Sequence, residues 1–311
     1  MPVIPQMNFI LFLVLASLWS GSFIAIKVVV EVWPPLFGAA VRVGVAWLSL
    51  SILAAIMGSK TSLPFAIRWK TWVIGLFAQG IPFVFLYWGE RSISAGLAGI
   101  LNGTMPIWTF MLALFFLPKT TTLSRFKLLG LLIGLLGVIM IFWPIMTFDK
   151  NINTLLGISA ILVMSFSYAI SNILNEVFLK GQVKIDFLAN IYHQHCSSLT
   201  FLLLASLIFE TWPNHMHLFT SSAPWLATLY LGLLATAFGF LIYYHLIREW
   251  DGVRASTVTY IVPILALIWD YLFFHNKPGI YEMIAVVAIL SGVILIQFTS
   301  YERPTCFSFK R

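Results

Sequence analysis

Long apolar runs separated by short polar breaks dominate the chain. Each run is about twenty residues, the length of a helix that crosses the hydrocarbon core of a bilayer. Apolar positions follow one another without two-residue alternation, so the runs read as helices and not as the strands of a barrel. They predict ten spans: residues 8–30, 36–57, 71–89, 95–117, 126–146, 155–175, 187–209, 224–247, 253–274 and 280–299. The connections are short, and none holds a soluble domain. Trp33, Trp69, Trp72, Trp143, Trp212, Trp225 and Trp250 fall near span ends, where amphipathic rings favour the headgroup layer. Trp19, Trp47, Trp108 and Trp269 lie deeper, where anchoring explains them less well. The first run has no Lys or Arg before it and continues past signal-peptide length, so it predicts a retained helix.

Composition agrees with the pattern. Hydrophobic residues make up 60% of the chain and charged residues 9%, against about 25% charged in soluble domains. The net charge of +7 does not point to nucleic acid, because the basic residues are spread over short connections and form no patch. Lys60, Arg68, Lys70, Lys119, Arg125, Lys127, Lys180, Lys184, Arg248, Arg254, Arg303, Lys310 and Arg311 fall on one side of the predicted spans. Arg91, Lys150 and Lys277 fall on the other, and Lys27 and Arg42 lie within spans. This bias predicts an inner-membrane protein with both termini cytoplasmic. Cys196 and Cys306 form no disulfide framework and no metal-ligand spacing. No phosphate loop or nucleophile–base pair appears, so neither a cofactor nor a metal is expected.

The chain carries an internal repeat. Residues 75–106 align with 232–263 without a gap, pairing Gly75 with Gly232, Ala78 with Ala235, Tyr87 with Tyr244, Arg91 with Arg248 and Pro106 with Pro263. Leu135-Gly137-Val138-Ile139 then resembles Leu290-Gly292-Val293-Ile294 after a small deletion. Each copy would hold five helices. Five is odd, so the second copy inserts upside down, as in secondary transporters whose site lies near the midplane between the halves. The expected organisation is an all-α integral membrane fold, with one repeat over 1–147, a second over 154–300 and a cytoplasmic tail over 301–311.

Several short motifs carry a family resemblance. Leu18-Trp19-Ser20-Gly21-Ser22-Phe23, Lys27, Pro34-Pro35, Phe37 and Arg42 resemble the opening of an EamA-type member of the drug/metabolite transporter superfamily. Ser94-Ala95-Gly96-Leu97-Ala98-Gly99-Ile100 with Pro106 is similar to that family's third-to-fourth helix signature. Leu231-Gly232-Leu233-Leu234-Ala235-Thr236-Ala237 with Pro263 resembles the second copy. The resemblance implies ten transmembrane helices as two inverted five-helix repeats, and transport of metabolites or amino acids, often outward. It departs at one repeated place. The family's Gly-Glu pair after the fourth and ninth helices is replaced by Pro118-Lys119 and His275-Asn276.

Polar residues inside the spans are the candidates for function. In the sixth span Ser165, Tyr168, Ser171, Asn172, Asn175 and Glu176 share a face. They read as a cavity wall or as interhelical hydrogen-bonding groups with a snorkelling Glu176. In the first span Trp19, Phe23 and Lys27 form a slanted row; Lys27 is an anion anchor, a partner for Glu31, or snorkels outward. In the seventh span Asn190, His193, Gln194 and Ser197 share a face, with His193 either a coupling group or structural. His193 and His195 are two apart and face away from each other, which argues against a metal pair. Asp270 is an intramembrane acid near a span end, on a broad face with Ser256, Thr259, Tyr260 and Pro263. Asn102 and Thr109 also reach toward the expected cavity, and Tyr87 and Tyr244 complete the substrate-binding set. Pro106 and Pro263 free backbone carbonyls and are hinge or packing bends. Gly130 and Gly134 form a small-residue face for a homodimer or for internal packing. Proton coupling through Glu176, His193 or Asp270 stands beside uniport and exchange. The expected activity is alternating-access movement, outward, of an amino acid or similar zwitterionic or polar solute. The rival from another class is a membrane-embedded enzyme acting on a lipid or lipid-linked substrate.

Overall fold

The computed structural model describes residues 6–117, 124–144, 151–179, 186–211, 221–250 and 258–298. The predicted tail 301–311, Pro118-Lys119, Ser256 and the side chain of Tyr244 lie outside that description. Among the described residues every regular element is helical.

The chain opens with α1 (Gln6–Val30) and α2 (Pro35–Ile56). α3 (Phe65–Gly75) passes through a π-helical segment, Leu76–Gly80, into α4 (Ile81–Gly89). α5 (Ala95–Asn102) and α6 (Met105–Phe116) follow one another across Gly103-Thr104, and α7 (Arg125–Pro144), α8 (Ile152–Leu179) and α9 (Phe187–Phe209) come next. α10 (Ala223–Leu229) passes through a second π-helical segment, Tyr230–Phe238, into α11 (Gly239–Trp250). α12 (Val258–Phe274) and α13 (Ile280–Phe298) close the bundle. Among the described residues, seven helical segments are long and apolar enough to cross a membrane, and α12 and the apolar part of α13 (Ile280–Ile296) are shorter.

The bundle is apolar outside as well as inside. Large side chains such as Leu48, Ile52, Leu136, Ile139, Leu204 and Val287 stand more than half exposed. Water would penalise such a surface by about 25 cal/mol for each Å² of apolar area, whereas lipid does not. Polar residues are turned inward instead: Ser20, Thr104, Ser165 and Ser198 are fully buried.

The helices run between two ends. At the near end α1 begins and α2 finishes; at the far end α1 finishes and α2 begins. The most extensive pairing joins α7 to α13. Gly130 is the reason they approach so closely: a Cβ there would lie 2.6 Å from the Gly292 carbonyl oxygen. This corrects one expectation. Gly130 and Gly134 are buried inside the chain, against α13 and Ile107, and offer no dimer face.

Other pairings come in matched sets. α2 packs on α9. α1 packs on α12, as α8 packs on α5 and α6. α8 packs on α4, as α1 packs on α10 and α11. α9 packs on α3, as α2 packs on the Tyr230–Phe238 segment. Shifting each pass by five along the chain carries one member of each set onto the other.

The ends are closed by caps. Ser94 Oγ accepts from the Leu97 N–H at 3.2 Å to start α5, and Asp186 Oδ1 accepts from the Leu188 N–H at 3.0 Å to start α9. α2 begins at Pro35, which has no N–H to satisfy. Its next two donors go to another helix: the Leu36 and Phe37 N–H groups bond the Glu210 carboxylate at 2.7 and 2.9 Å. Ser206 Oγ donates to the same carboxylate at 2.7 Å. An anion at a helix N-terminus is favourable, and here it also ties α9 to α2. Glu210→Ala should therefore lower stability by about 1–3 kcal/mol, seen as a lower melting temperature in detergent, with Glu210→Gln falling between.

Candidate functional site

The two π-helical segments interrupt the third and eighth helical passes at positions the repeat pairs, since residues 76–80 align with 233–237 inside Tyr230–Phe238. A π turn shifts main-chain carbonyls off the regular ladder, and such turns cluster at functional sites. Each segment is held by side chains from neighbouring helices. Ser167 Oγ on α8 donates to the Phe77 carbonyl at 3.1 Å, and Ser198 Oγ on α9 donates to the Gly75 carbonyl at 2.8 Å. On the other side Trp19 Nε1 on α1 donates to the Ala235 carbonyl at 3.1 Å. Arg42 Nε on α2 donates to Thr236 Oγ1, also at 3.1 Å.

Arg42 is the centre of the site, and it is only 7% exposed. Its guanidinium lies 4.3 Å from the Phe83 ring centroid, a cation–π contact. Gln79, Phe83 and Tyr87 follow at four-residue spacing along the third pass, so Gln79 and Tyr87 flank the ring on which Arg42 rests. Arg42 Nη1, Gln79 Oε1 and Tyr87 Oη are all buried with no hydrogen-bond partner in the protein. The charge of Arg42 also reaches Tyr168, Tyr230 and His195. His195 Nδ1 bonds the Ile191 carbonyl at 2.9 Å. A carbonyl only accepts, so Nδ1 carries the proton and the buried, unpartnered Nε2 is a bare acceptor.

Toward the far end lies a group of charges. Lys27 Nζ donates to the carbonyls of Glu90 and Ile93 at 2.7 and 3.1 Å, holding the turn between α4 and α5. Glu90 is fully buried, with neither carboxylate oxygen hydrogen-bonded within the protein. Burial holds its carboxyl well above the usual carboxylate range; Lys27 and Arg42 oppose this and Asp270 adds to it. A cavity of about 460 Å³ opens here, bordered by Lys27, Glu31, Arg91, Ser94 and Asn276. A smaller one of about 230 Å³ is bordered by Asp270, Lys277 and Glu282. Asn276 Nδ2 donates to Asp270 Oδ1 at 3.1 Å. The residue before it, His275, has φ 56°, a left-handed conformation that favours glycine. The replaced Gly-Glu pair thus falls where the backbone turns, and Asn276 ties that turn to Asp270.

The predicted residues separate into groups. Trp19 and Tyr168 are half-buried and border the centre. Trp19 packs its ring 5.2 Å from Tyr243. Tyr87 is at the centre and fully buried. Asn102 and Tyr260 are half-buried, and the Tyr260 hydroxyl has no partner in the protein. Asn172 is exposed and donates to Thr109 Oγ1 at 3.3 Å, while Asn175 donates to the Ser171 carbonyl of its own helix. Glu176 is half-buried near the near end of α8. Phe23 is 5% exposed and belongs to the main apolar core. Lys27 pairs with carbonyls and not with Glu31. His193 lies away from Arg42: its Nε2 is 3.0 Å from the Thr61 carbonyl, and Trp72 Nε1 donates to its Nδ1 at 3.4 Å. Both ring nitrogens are thus used in tying α9 to α3 and the segment before it. Pro106 sits just beyond the break between α5 and α6, whereas Pro263 lies inside an unbroken α12, so the two do not form a matched pair of breaks. The matched irregularities are the π-helical segments.

Arg42, Gln79, Phe83, Glu90, Tyr230 and Thr236 were not among the sequence candidates. An arginine in mid-span is itself a signal of function. Glu90 sits beside Arg91 at a span end and reads as interfacial until the fold buries it.

The sequence profile of the EamA-like transporter family matches residues 7–143 and again 155–298. An uncharacterized transporter of Bacillus subtilis (strain 168), YoaV, is 27% identical over 288 residues, covering 92% of this chain and 95% of that protein. An uncharacterized inner membrane transporter of Escherichia coli (strain K12), YedA, is 24% identical over 289 residues, covering 92% and 89%. A crystal structure of a protein with 18% identity superposes with a TM-score of 0.64, covering 96% of this chain and 98% of that one, which shows a shared fold. Fold and relatives together define a multi-pass membrane transporter. The chain belongs to the EamA-like transporter family.

The Lys27 bonds make a direct prediction. Lys27→Met leaves two carbonyls without their donor and should cost about 1–3 kcal/mol, read as a lower melting temperature of the purified protein. Lys27→Arg should recover most of the loss.

Proposed function

We propose that this protein is a secondary transporter that moves an amino acid or similar zwitterionic solute out of the cell by alternating access. One observation carries the reading. Buried polar atoms without partners converge around Arg42, where α2, the third pass and α9 meet the Tyr230–Phe238 segment. A core serving only stability would satisfy such atoms, whereas a solute site leaves them for the solute.

In this reading ten spans form two inverted repeats, 1–147 and 154–300, with the site between them. The double family match, the matched helix pairings and the paired π-helical segments support it. Both termini lie in the cytoplasm, which the basic residues favour; the name of the E. coli relative supports an inner-membrane location. Burial is graded along the path. Tyr87, Glu90 and Ala95 are buried on the far side of Arg42, between it and the cavity that opens at the far end. Trp19, Tyr168, Thr109 and Asn172 are half-buried or exposed toward the near side. The gradient supports a state open to the cytoplasm and shut toward the exterior.

Gly103, at the break before α6, packs on Pro263: a Cβ there would lie 3.0 Å from Pro263 Cγ. This contact is our candidate pivot. Of the coupling candidates, Asp270 lies in the charged group with Lys27 and Glu90, and His193 serves structure instead.

Counterflow in proteoliposomes against a panel of amino acids, amines, sugars and nucleosides tests the carrier reading. Solute-dependent exchange is expected, and no exchange with any member would overturn it. A chain with Asn172→Cys, and with Cys196 and Cys306 changed to Ser, tests the access state. An impermeant maleimide should label it from the cytoplasmic face, with transported solute slowing the reaction. Labelling only from outside would reverse the proposed orientation.

A further inference from the structure

We infer that Arg42 anchors a carboxylate of the transported solute, with Tyr87 as a second donor and Gln79 and His195 as acceptors for its ammonium or hydroxyl group. This rests on the carrier reading and names the solute class for the same site.

Burying a guanidinium is costly. A cation taken out of water needs a compensating charge or dense hydrogen bonding. Among the described residues no carboxylate forms an ion pair with Arg42; its contacts are Thr236 through Nε, the face of Phe83 and the Tyr87 hydroxyl beside the guanidinium, whose own proton stays free to donate. Thr236 accounts for one nitrogen and leaves Nη1 bare. Glu90 feels the charge of Arg42, but neither of its carboxylate oxygens forms a hydrogen bond within the protein. The guanidinium in mid-bundle therefore has no hydrogen-bonded carboxylate among the described residues, and a solute anion would supply one.

The neighbouring orphans narrow the class. Arg42 Nη1 and Tyr87 Oη are two donors, fitting the two oxygens of one carboxylate. Gln79 Oε1 and His195 Nε2 are acceptors, since the His195 proton is committed to Ile191. Two donors beside two acceptors complement a group that is negative at one point and donates at another, as in an α-amino acid. A phosphate or dicarboxylate would bring more negative charge and call for a second free cation. Lys27 is held by two backbone carbonyls. A monocarboxylate is the better match.

A structural role for Arg42 would tie α2 to the second π-helical segment through Thr236 and involve no solute. The experiment separates the two. The purified full-length protein is reconstituted in nanodiscs and screened by thermal shift with the twenty common L-amino acids. Each amino acid that stabilises it is compared with its α-amide and its decarboxylated amine. The expected result is that at least one acid stabilises the protein, while its amide and amine bind at least about tenfold more weakly. Arg42→Lys should weaken the acid and leave some binding, because the charge stays and the planar fork is lost. Arg42→Gln should abolish the preference for acid over amide. Amides that bind as well as acids would overturn the inference, and this comparison needs only the wild-type protein. So would an Arg42→Gln protein that discriminates as the wild type does. Counterflow of amines, sugars or nucleosides alone would overturn it while sparing the carrier reading. A protein that exchanges nothing would end both.

Discussion

A bilayer offers the main chain no water, so every displaced peptide group must find its partner inside the protein. That constraint governs this fold. It permits two π-helical segments only because Trp19, Ser167 and Ser198 deliver donors to the carbonyls of Ala235, Phe77 and Gly75. It permits the turn after α4 only because Lys27 reaches two further carbonyls. Irregular backbone and the side chains that satisfy it come as sets, and those at the two π-helical segments join one half of the chain to the other. A transporter needs helices that depart from regularity near its site. Here the cross-helix hydrogen bonds make the departure affordable.

Charge follows the same logic with higher stakes. Lys27, Arg42, Glu90 and Asp270 occupy one side of the bundle interior, each with a different local settlement. Lys27 spends its donors on backbone, and Asp270 receives Asn276. Glu90 is buried without a hydrogen bond to either oxygen, and Arg42 keeps an unused donor. Groups with no internal settlement in a low-dielectric interior are costly, and the solute site we propose is built on the one at Arg42. Packing provides the frame for this chemistry. α7 and α13 press together through Gly130 and Gly292 at one edge of the bundle. The passes that carry the irregular segments are left to line the centre.

Much of the fold was legible in the sequence. Apolar runs of bilayer length placed the helical passes, because hydropathy is summed locally along the chain. The paired residues from Gly75/Gly232 to Pro106/Pro263 pointed to the region that holds the π-helical segments, although they suggested prolines as the irregular points. Asn172 and Tyr168 were recognised on one helix face because helical periodicity alone groups them. The π turns were not legible. No residue type demands one, and they form where a neighbour supplies a lateral hydrogen bond.

By itself, then, the sequence determined that the chain is helical, resides in a membrane and shares the EamA pattern, since composition, run length and motif order are properties of the chain alone. Only the tertiary structure decided which polar residues meet. It sent His193 and Lys27 to structural bonds, buried the Gly130/Gly134 face within the molecule, and brought Arg42 to Gln79, Tyr87 and His195. The reason is that a hydrogen bond or ion pair depends on angstroms between groups far apart in sequence. Hydropathy says that a polar side chain must avoid lipid, and packing chooses the partner it finds.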